Sequence, residues 1–65
     1  MEFELLTRRI RDEFNEMPGL RLTLHQASRL WGLERDLCRA VIDQLVASSF
    51  LRWTTAGAVI RAESW

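Results

Sequence analysis

Gly32, placed between two segments of helical periodicity, is the feature that most constrains how this chain folds. It lies in "LTLHQASRLWGLERDLCRAV", residues 22–41, where apolar residues recur every three or four positions on both sides. Thr23 and Gln26 have the spacing of a helix capping box, and glycine best tolerates the left-handed backbone at a helix C-terminus. These signals predict three consecutive elements: a helix over residues 24–31, a turn at 32–33 and a helix over 34–48.

The same stretch meets the steric needs of a helix-turn-helix unit. Two helices that cross steeply over a short turn need a small residue at the crossing, a glycine at the turn and apolar anchors on the second helix. Ser28, Gly32, Leu33, Cys38 and Val41 provide these at spacings of four, one, five and three. This pattern favours a helix-turn-helix unit.

An amphipathic helix is predicted over residues 2–17, before this unit. Its apolar residues recur at steps of three and four and form one stripe: Phe3, Leu6, Ile10, Phe14 and Met17. "MPG" then ends the helix, because Pro18 biases its predecessor away from helical backbone and Gly19 permits a turn.

Short extended segments lie on either side of the helix-turn-helix unit. "LRLT" alternates apolar and polar residues and predicts a strand over 20–22, while aromatic and β-branched residues predict strands over 50–54 and 58–61. "TAG" between the last two allows a hairpin with Gly57 at positive φ. The expected fold is mainly α with a small β-hairpin, a winged helix-turn-helix with three helices and a two- or three-stranded wing sheet.

Length limits the chain to one small domain, 1–65. A domain of 65 residues buries a modest core, so it needs efficient helix packing or a partner subunit. No apolar stretch is long enough for a membrane span, and the acidic, amphipathic start is unlike a signal peptide. Cys38 is the single cysteine, which excludes an internal disulfide and fits a reducing compartment. We therefore expect a cytoplasmic protein.

The charge is balanced overall but unevenly distributed. All nine basic residues are arginine, the sequence pI is about 6.6, and net charge is −2 over residues 1–18 and +2 over 19–65. Arginine suits phosphates and guanine edges, although a GC-rich genome produces the same preference for arginine. The pI is low for a nucleic-acid-binding domain, for which values above about 9 are usual.

The chain resembles the winged helix-turn-helix domains of bacterial transcription regulators. The resemblance covers residues 3–61 and rests on the pattern "MPGLRLT…QA-RLWGL…C…LV…FL…G", here carried by Met17 to Thr23, Gln26 to Leu33, Cys38, Leu45, Val46, Phe50, Leu51 and Gly57. Two departures stand out. Ser49 lies where such domains often have glycine, which implies a strained corner, and the wing tip "TTAG" carries no basic residue.

The resemblance implies that the helix over 34–48 enters the major groove of duplex DNA. Residues off its apolar stripe would then face outward: Glu34, Arg35, Asp36, Arg39, Ala40 and Asp43. Arg35 and Arg39 lie one turn apart and are expected to reach guanine edges or phosphates, with Arg29, Arg52 and Arg61 holding the DNA backbone.

Each of these residues also has a plainer interpretation. Arg35 and Arg39 could pair with the neighbouring acids on a solvated face, and Glu34 and Asp36 could accept from cytosine or simply complement the start of the helix. We expect Cys38 and Trp31 to be core residues and His25 to have a surface or packing role. Trp53 and Trp65 would be partly exposed, as at an interface.

Two functional hypotheses remain open. One is a DNA-binding homodimer in which Phe3, Leu6, Ile10 and Met17 pack against the twin helix, giving the two-fold symmetry of a palindromic site. The other is a winged-helix module that binds another protein. An enzyme is not expected, because the sequence shows no carboxylate pair, metal-ligand set, phosphate loop or nucleophile–base spacing, and no cofactor or metal is implied.

Overall fold

Helix α1, Phe3–Glu16, packs on the rest of the protein through one stripe of side chains. In the computed structural model, which describes residues 2–62, Leu6, Ile10 and Phe14 of this stripe are buried. The carboxylate of Glu2 caps the helix by accepting from the amide of Glu4 at 3.3 Å. The predicted segment, 2–17, also takes in the two caps, because Glu2 and Met17 lie just outside the helix.

Two more helices follow, α2 over Leu24–Trp31 and α3 over Arg35–Ala47. The bounds of α2 are those that the sequence predicts. For α3 the predicted segment, 34–48, also takes in its two caps, because Glu34 and Ser48 lie just outside the helix. Both helices carry their buried residues on one face, so each lies against the core with its other face exposed.

A three-stranded antiparallel sheet completes the fold, with β1 at Leu22–Thr23, β2 at Leu51–Trp53 and β3 at Ala58–Arg61. The order is β1-β3-β2, so the last strand lies in the middle. Leu22 is opposite Val59, and Leu51 is opposite Arg61. The strand before α2 therefore joins the hairpin in one sheet.

The predicted strand bounds need correction at β1 and β2. Leu20 belongs to the turn after α1, because its amide donates to the carbonyl of Met17 at 2.8 Å, and pairing begins only at Leu22. Phe50 belongs to the turn that follows α3, because its amide donates to the carbonyl of Leu45 at 3.0 Å, and β2 pairing runs only from Leu51 to Trp53. Hydrogen bonds of the neighbouring turns thus shorten both strands.

The core lies between the three helices and the inner face of the sheet. Phe14 and Trp31 meet edge to face at its centre, with ring centroids 6.2 Å apart and an interplanar angle of 61°. The other fully buried large side chains are Leu6, Ile10, Cys38, Val41, Ile42, Leu45, Leu51 and Val59. The mainly α fold with a small sheet is confirmed, and it is compatible with a winged-helix-like arrangement.

The predictions on the cysteine and the three tryptophans have different outcomes. Cys38 and Trp31 are buried, as expected, and Trp53 is half-buried against the core. Trp65 lies outside the described residues. No helix within residues 2–62 has the length and apolar character to cross a membrane.

Candidate nucleic-acid interface

The turn between α2 and α3 is fixed by local hydrogen bonds. At the start of α2, the hydroxyl of Thr23 accepts from the amide of Gln26 at 3.1 Å, and the Gln26 side chain accepts from the Thr23 amide at 3.0 Å. At its end Gly32 has φ 63°, and the amide of Leu33 donates to the carbonyl of Ser28 at 3.0 Å. Both ends of α2 are therefore capped by the residues that the sequence analysis identified for this role.

Helix α3 begins with an acidic cap. The Glu34 carboxylate accepts from the amide of Asp36 at 3.2 Å, and the Glu34 carbonyl accepts from the amide of Cys38 at 2.9 Å. This contact supports the plainer interpretation of Glu34 as a helix-start acid, with its charge at the positive end of the helix dipole.

The exposed face of α3 carries basic and acidic groups in equal number. Arg35 and Arg39 are both exposed, one turn apart, and Asp36 and Asp43 are exposed on the same helix. The Nε of Arg39 lies 3.6 Å from Oδ2 of Asp43, and the two side chains are 64% and 53% exposed. An exposed pair of this kind stabilises a protein by less than about 1 kcal/mol, so Arg39 can exchange this partner for another anion.

Arg29 and Arg52 present guanidinium groups on elements beside α3. Arg29 is exposed in the last turn of α2. Arg52 is exposed on β2, opposite Ile60 in the register, and because side chains alternate along a strand it projects from the sheet face opposite to that of buried Leu51. Both side chains are accessible to a ligand.

Arg61 has a different environment from the one that we expected. It pairs in register with Leu51, so it lies on the core side of the sheet, and its guanidinium carbon is 5.3 Å from the centroid of the Phe50 ring. The guanidinium of Arg11 lies 5.8 Å from the same centroid. Arg61 is half-buried in this packing, unlike the exposed arginines Arg29, Arg35, Arg39 and Arg52 of the candidate interface.

Sequence reasoning missed this cluster of Arg11, Phe50 and Arg61. Arg11 lies off the apolar stripe of α1, and Phe50 follows α3 nearly 40 residues later in the chain. The only local signal is that an apolar residue often follows a helix end to pack back on it. Nothing in the spacing links residue 11 to residue 50.

The wing is a short hairpin with a neutral tip. The Thr54 hydroxyl accepts from the amide of Ala58 at 3.1 Å, and the Thr54 amide donates to the carbonyl of Ala58 at 2.7 Å. Gly57 has φ 84°, which confirms the predicted left-handed position. The tip offers backbone and hydroxyl groups rather than positive charge.

The proposed dimer residues of α1 do not share one environment. Leu6 is 1% exposed and Ile10 is 0% exposed, because both pack inward against their own chain. The prediction that they contact a twin helix is therefore wrong. Phe3 and Met17, at the two ends of the stripe, are 38% and 49% exposed and remain available for contact.

Cys38 and His25 lie in different environments. Cys38 is fully buried, and desolvation by burial raises the pKa of its thiol, which favours the unreactive protonated form. His25 is exposed in the first turn of α2. Within residues 2–62, no group of three or more His, Cys, Asp or Glu side chains is placed to hold a metal ion.

Comparison with known proteins adds no family assignment. The chain matches no protein-family model, no curated protein and no solved structure.

Proposed function

We propose that this chain is a winged-helix domain that binds duplex DNA through the exposed face of α3, as a bacterial transcription regulator does. The observation that carries the proposal is the pair Arg35 and Arg39, exposed one turn apart on the second helix of a helix-turn-helix unit. A helix fits the major groove, and a guanidinium fork matches both guanine edges and phosphate oxygens.

Arg29 and Arg52 support this proposal because they flank α3 on separate elements. Contacts with phosphates from two sides fix a helix in register on the duplex without reading the sequence. The acids Asp36 and Asp43 work against phosphate contact, so affinity rests on few positive charges. The proposal therefore includes a homodimer, which doubles the contacts and matches a two-fold symmetric site.

Salt dependence measures how many phosphates the domain contacts. If all four arginines contact phosphate, the logarithm of the binding constant falls with that of salt with a slope of about −3.6 per protomer. If Arg35 and Arg39 contact bases instead, the slope is about −1.8. Between 50 and 200 mM salt the affinity of one protomer then falls by roughly 150-fold or 12-fold, and that of a homodimer, with twice the contacts, by roughly 20,000-fold or 150-fold. The two contact patterns are separated once sedimentation has given the oligomeric state of the bound protein.

The test is fluorescence anisotropy of a labelled duplex library titrated with wild type and with Arg35→Ala, Arg39→Ala and the double variant. Arg9→Ala is the matched control, because Arg9 is an exposed arginine of α1 and its loss changes the charge equally. We expect binding to weaken with each α3 variant and to be unchanged in Arg9→Ala. Equal losses in all three single variants would mean that net charge alone attracts DNA.

A second candidate function is a protein-binding winged helix, and the Arg39–Asp43 pair favours it. A face with equal numbers of arginines and aspartates suits a protein surface of mixed charge better than a phosphate backbone. The same titration discriminates between the two. A folded protein that shows no DNA binding at low salt refutes the DNA-binding proposal and leaves the protein-binding function.

A further inference from the structure

An open groove of about 500 Å³ lies between α1 and α3, away from the outward face of α3. It is lined by Phe3, Glu4, Thr7, Arg8, Arg11 and Gln44. Gln44 is five residues after Arg39, which places the two side chains roughly 140° apart around the helix axis. A ligand in the groove and a ligand on the outward face can therefore bind at the same time.

The groove carries a net positive charge. Arg8 and Arg11 line it from successive turns of α1, against the single carboxylate of Glu4. The guanidinium groups of Arg11 and Arg61 both contact the ring of Phe50, but of the two only Arg11 lines the groove. The surroundings thus favour an anionic ligand, in a protein with no net charge overall.

Phe50 holds Arg11 in position. Its half-buried ring packs against the core, and the guanidinium of Arg11 lies 5.8 Å from the ring centroid. A cation over an aromatic face is attracted to it, so Arg11 has lost part of its rotamer freedom before any ligand arrives. A planar donor that is already ordered binds a carboxylate at a smaller entropic cost.

The groove also has an apolar wall and a neutral polar group. Phe3 is 38% exposed and contributes a large apolar surface. The Thr7 hydroxyl donates to the carbonyl of Phe3 at 2.9 Å, which leaves its oxygen as an acceptor. The exposed amide of Gln44 offers both a donor and an acceptor to a peptide backbone.

We propose that this groove binds an acidic segment of a partner protein, with a carboxylate on Arg8 and Arg11 and a neighbouring apolar side chain on Phe3. Glu4 and Phe3 favour a peptide over a nucleic acid as the ligand of this groove. A phosphate backbone carries charge at every step and would meet the Glu4 carboxylate and an apolar ring, whereas a peptide can present a carboxylate, an apolar group and an N–H donor in turn.

The test uses a fluorescein-labelled peptide of alternating aspartate and leucine, with the asparagine–leucine peptide as its uncharged control. Titration is followed by anisotropy and by 15N–1H correlation spectra of the wild-type protein. We expect shifts concentrated at the amides of Thr7, Arg8, Arg11 and Gln44, and at least tenfold weaker binding of the asparagine peptide. Shifts concentrated on the outward face of α3, or equal binding of both peptides, would overturn the proposal.

Arg8→Ala and Arg9→Ala form the matched pair of variants. Both arginines are exposed neighbours on α1, but only Arg8 lines the groove. We expect a roughly tenfold loss of acidic-peptide affinity in Arg8→Ala and less than a twofold change in Arg9→Ala. Equal losses would show attraction by net charge and would contradict a site. Arg11→Ala is secondary, because it also removes a contact to Phe50.

Two other occupants of the groove have their own signatures. A second copy of the chain would raise the mass in sedimentation equilibrium with protein concentration and shift the same amides without peptide, and this result would refute the peptide proposal. Duplex DNA that displaces the peptide from wild type would refute it too. A second copy in the groove would locate the homodimer contact of the DNA-binding proposal there, whereas DNA contact by the outward face of α3 is tested separately through Arg35 and Arg39.

Discussion

Replacing Ser49 with glycine should stabilise this protein. Ser49 follows α3 with φ 65°, a left-handed backbone that costs a residue with a Cβ atom. The turn needs this conformation, because the amide of Ser49 donates to the carbonyl of Val46 and the amide of Phe50 to that of Leu45, both at 3.0 Å. These two bonds form a Schellman motif, in which glycine is the usual residue at this position.

The size of the effect follows from two opposing terms. Relief of the left-handed backbone stabilises the folded state by about 1–2 kcal/mol. The greater freedom of glycine in the unfolded chain offsets about 0.5–1 kcal/mol of this gain. The Ser49 side chain is exposed, so little packing is lost. We expect a net gain of about 0.5–1 kcal/mol, which raises Tm by roughly 2–8 °C in a domain of this size.

The assay is thermal and urea unfolding followed by far-UV circular dichroism, with Ser48→Gly as the control. Ser48 has φ −86° and its hydroxyl donates to the carbonyl of Leu45 at 3.0 Å, so glycine there brings only costs and should lower stability by about 1 kcal/mol. If Ser49→Gly destabilises the protein as Ser48→Gly does, the left-handed backbone at Ser49 is not a source of strain and the reasoning fails.

Three further predictions concern the core, the thiol and the α3 face. Leu6→Ala should lower the free energy of unfolding in urea by about 2–4 kcal/mol at any protein concentration, because Leu6 is buried within its own chain. Phe3→Ala should lower it by less than about 1 kcal/mol, because Phe3 is exposed. Similar losses in both variants would contradict this. Burial raises the pKa of the Cys38 thiol, so the folded state holds the proton more tightly than the unfolded state does. The free energy of unfolding should therefore keep its full value below about pH 8.5 and fall above it. In Cys38→Ala this alkaline fall should be absent. Asp43→Asn frees Arg39 and should raise affinity for duplex DNA roughly 2–5-fold in anisotropy, whereas unchanged affinity would count against DNA contact by Arg39.

Elements whose ends carry their own signals were predictable from the sequence. Thr23 and Gln26 begin α2 and Gly32 ends it, and each of these residues acts through hydrogen bonds within its own turn. The strained corner at Ser49 followed instead from the family resemblance, because such domains often have glycine there, and Ser49 has φ 65°. The bounds of β1 were not predictable, because its pairing depends on Val59 and Ala58, far along the chain.

The sequence pattern of a helix does not tell which surface covers its apolar stripe. The periodicity of α1 is the same whether its stripe packs on its own chain or on a twin helix, and only the tertiary structure shows that Leu6 and Ile10 point inward. The position of Arg61 had the same limit. The family resemblance implied that Arg61 holds the DNA backbone, but Arg61 is half-buried and its guanidinium lies over the ring of Phe50.

The small number of arginines on α3 links the two proposals. Arg35 and Arg39 share their face with two aspartates, so one protomer gains little from phosphate contacts at physiological salt. A second contact that holds the domain near DNA compensates for this weak binding. The tethered domain then meets DNA at an effective concentration of up to the millimolar range. A partner held in the groove by Arg8 and Arg11 would provide such a contact if it also bound DNA. In that case the partner's presence raises DNA affinity in wild type and fails to do so in Arg8→Ala, although the α3 face is intact in both.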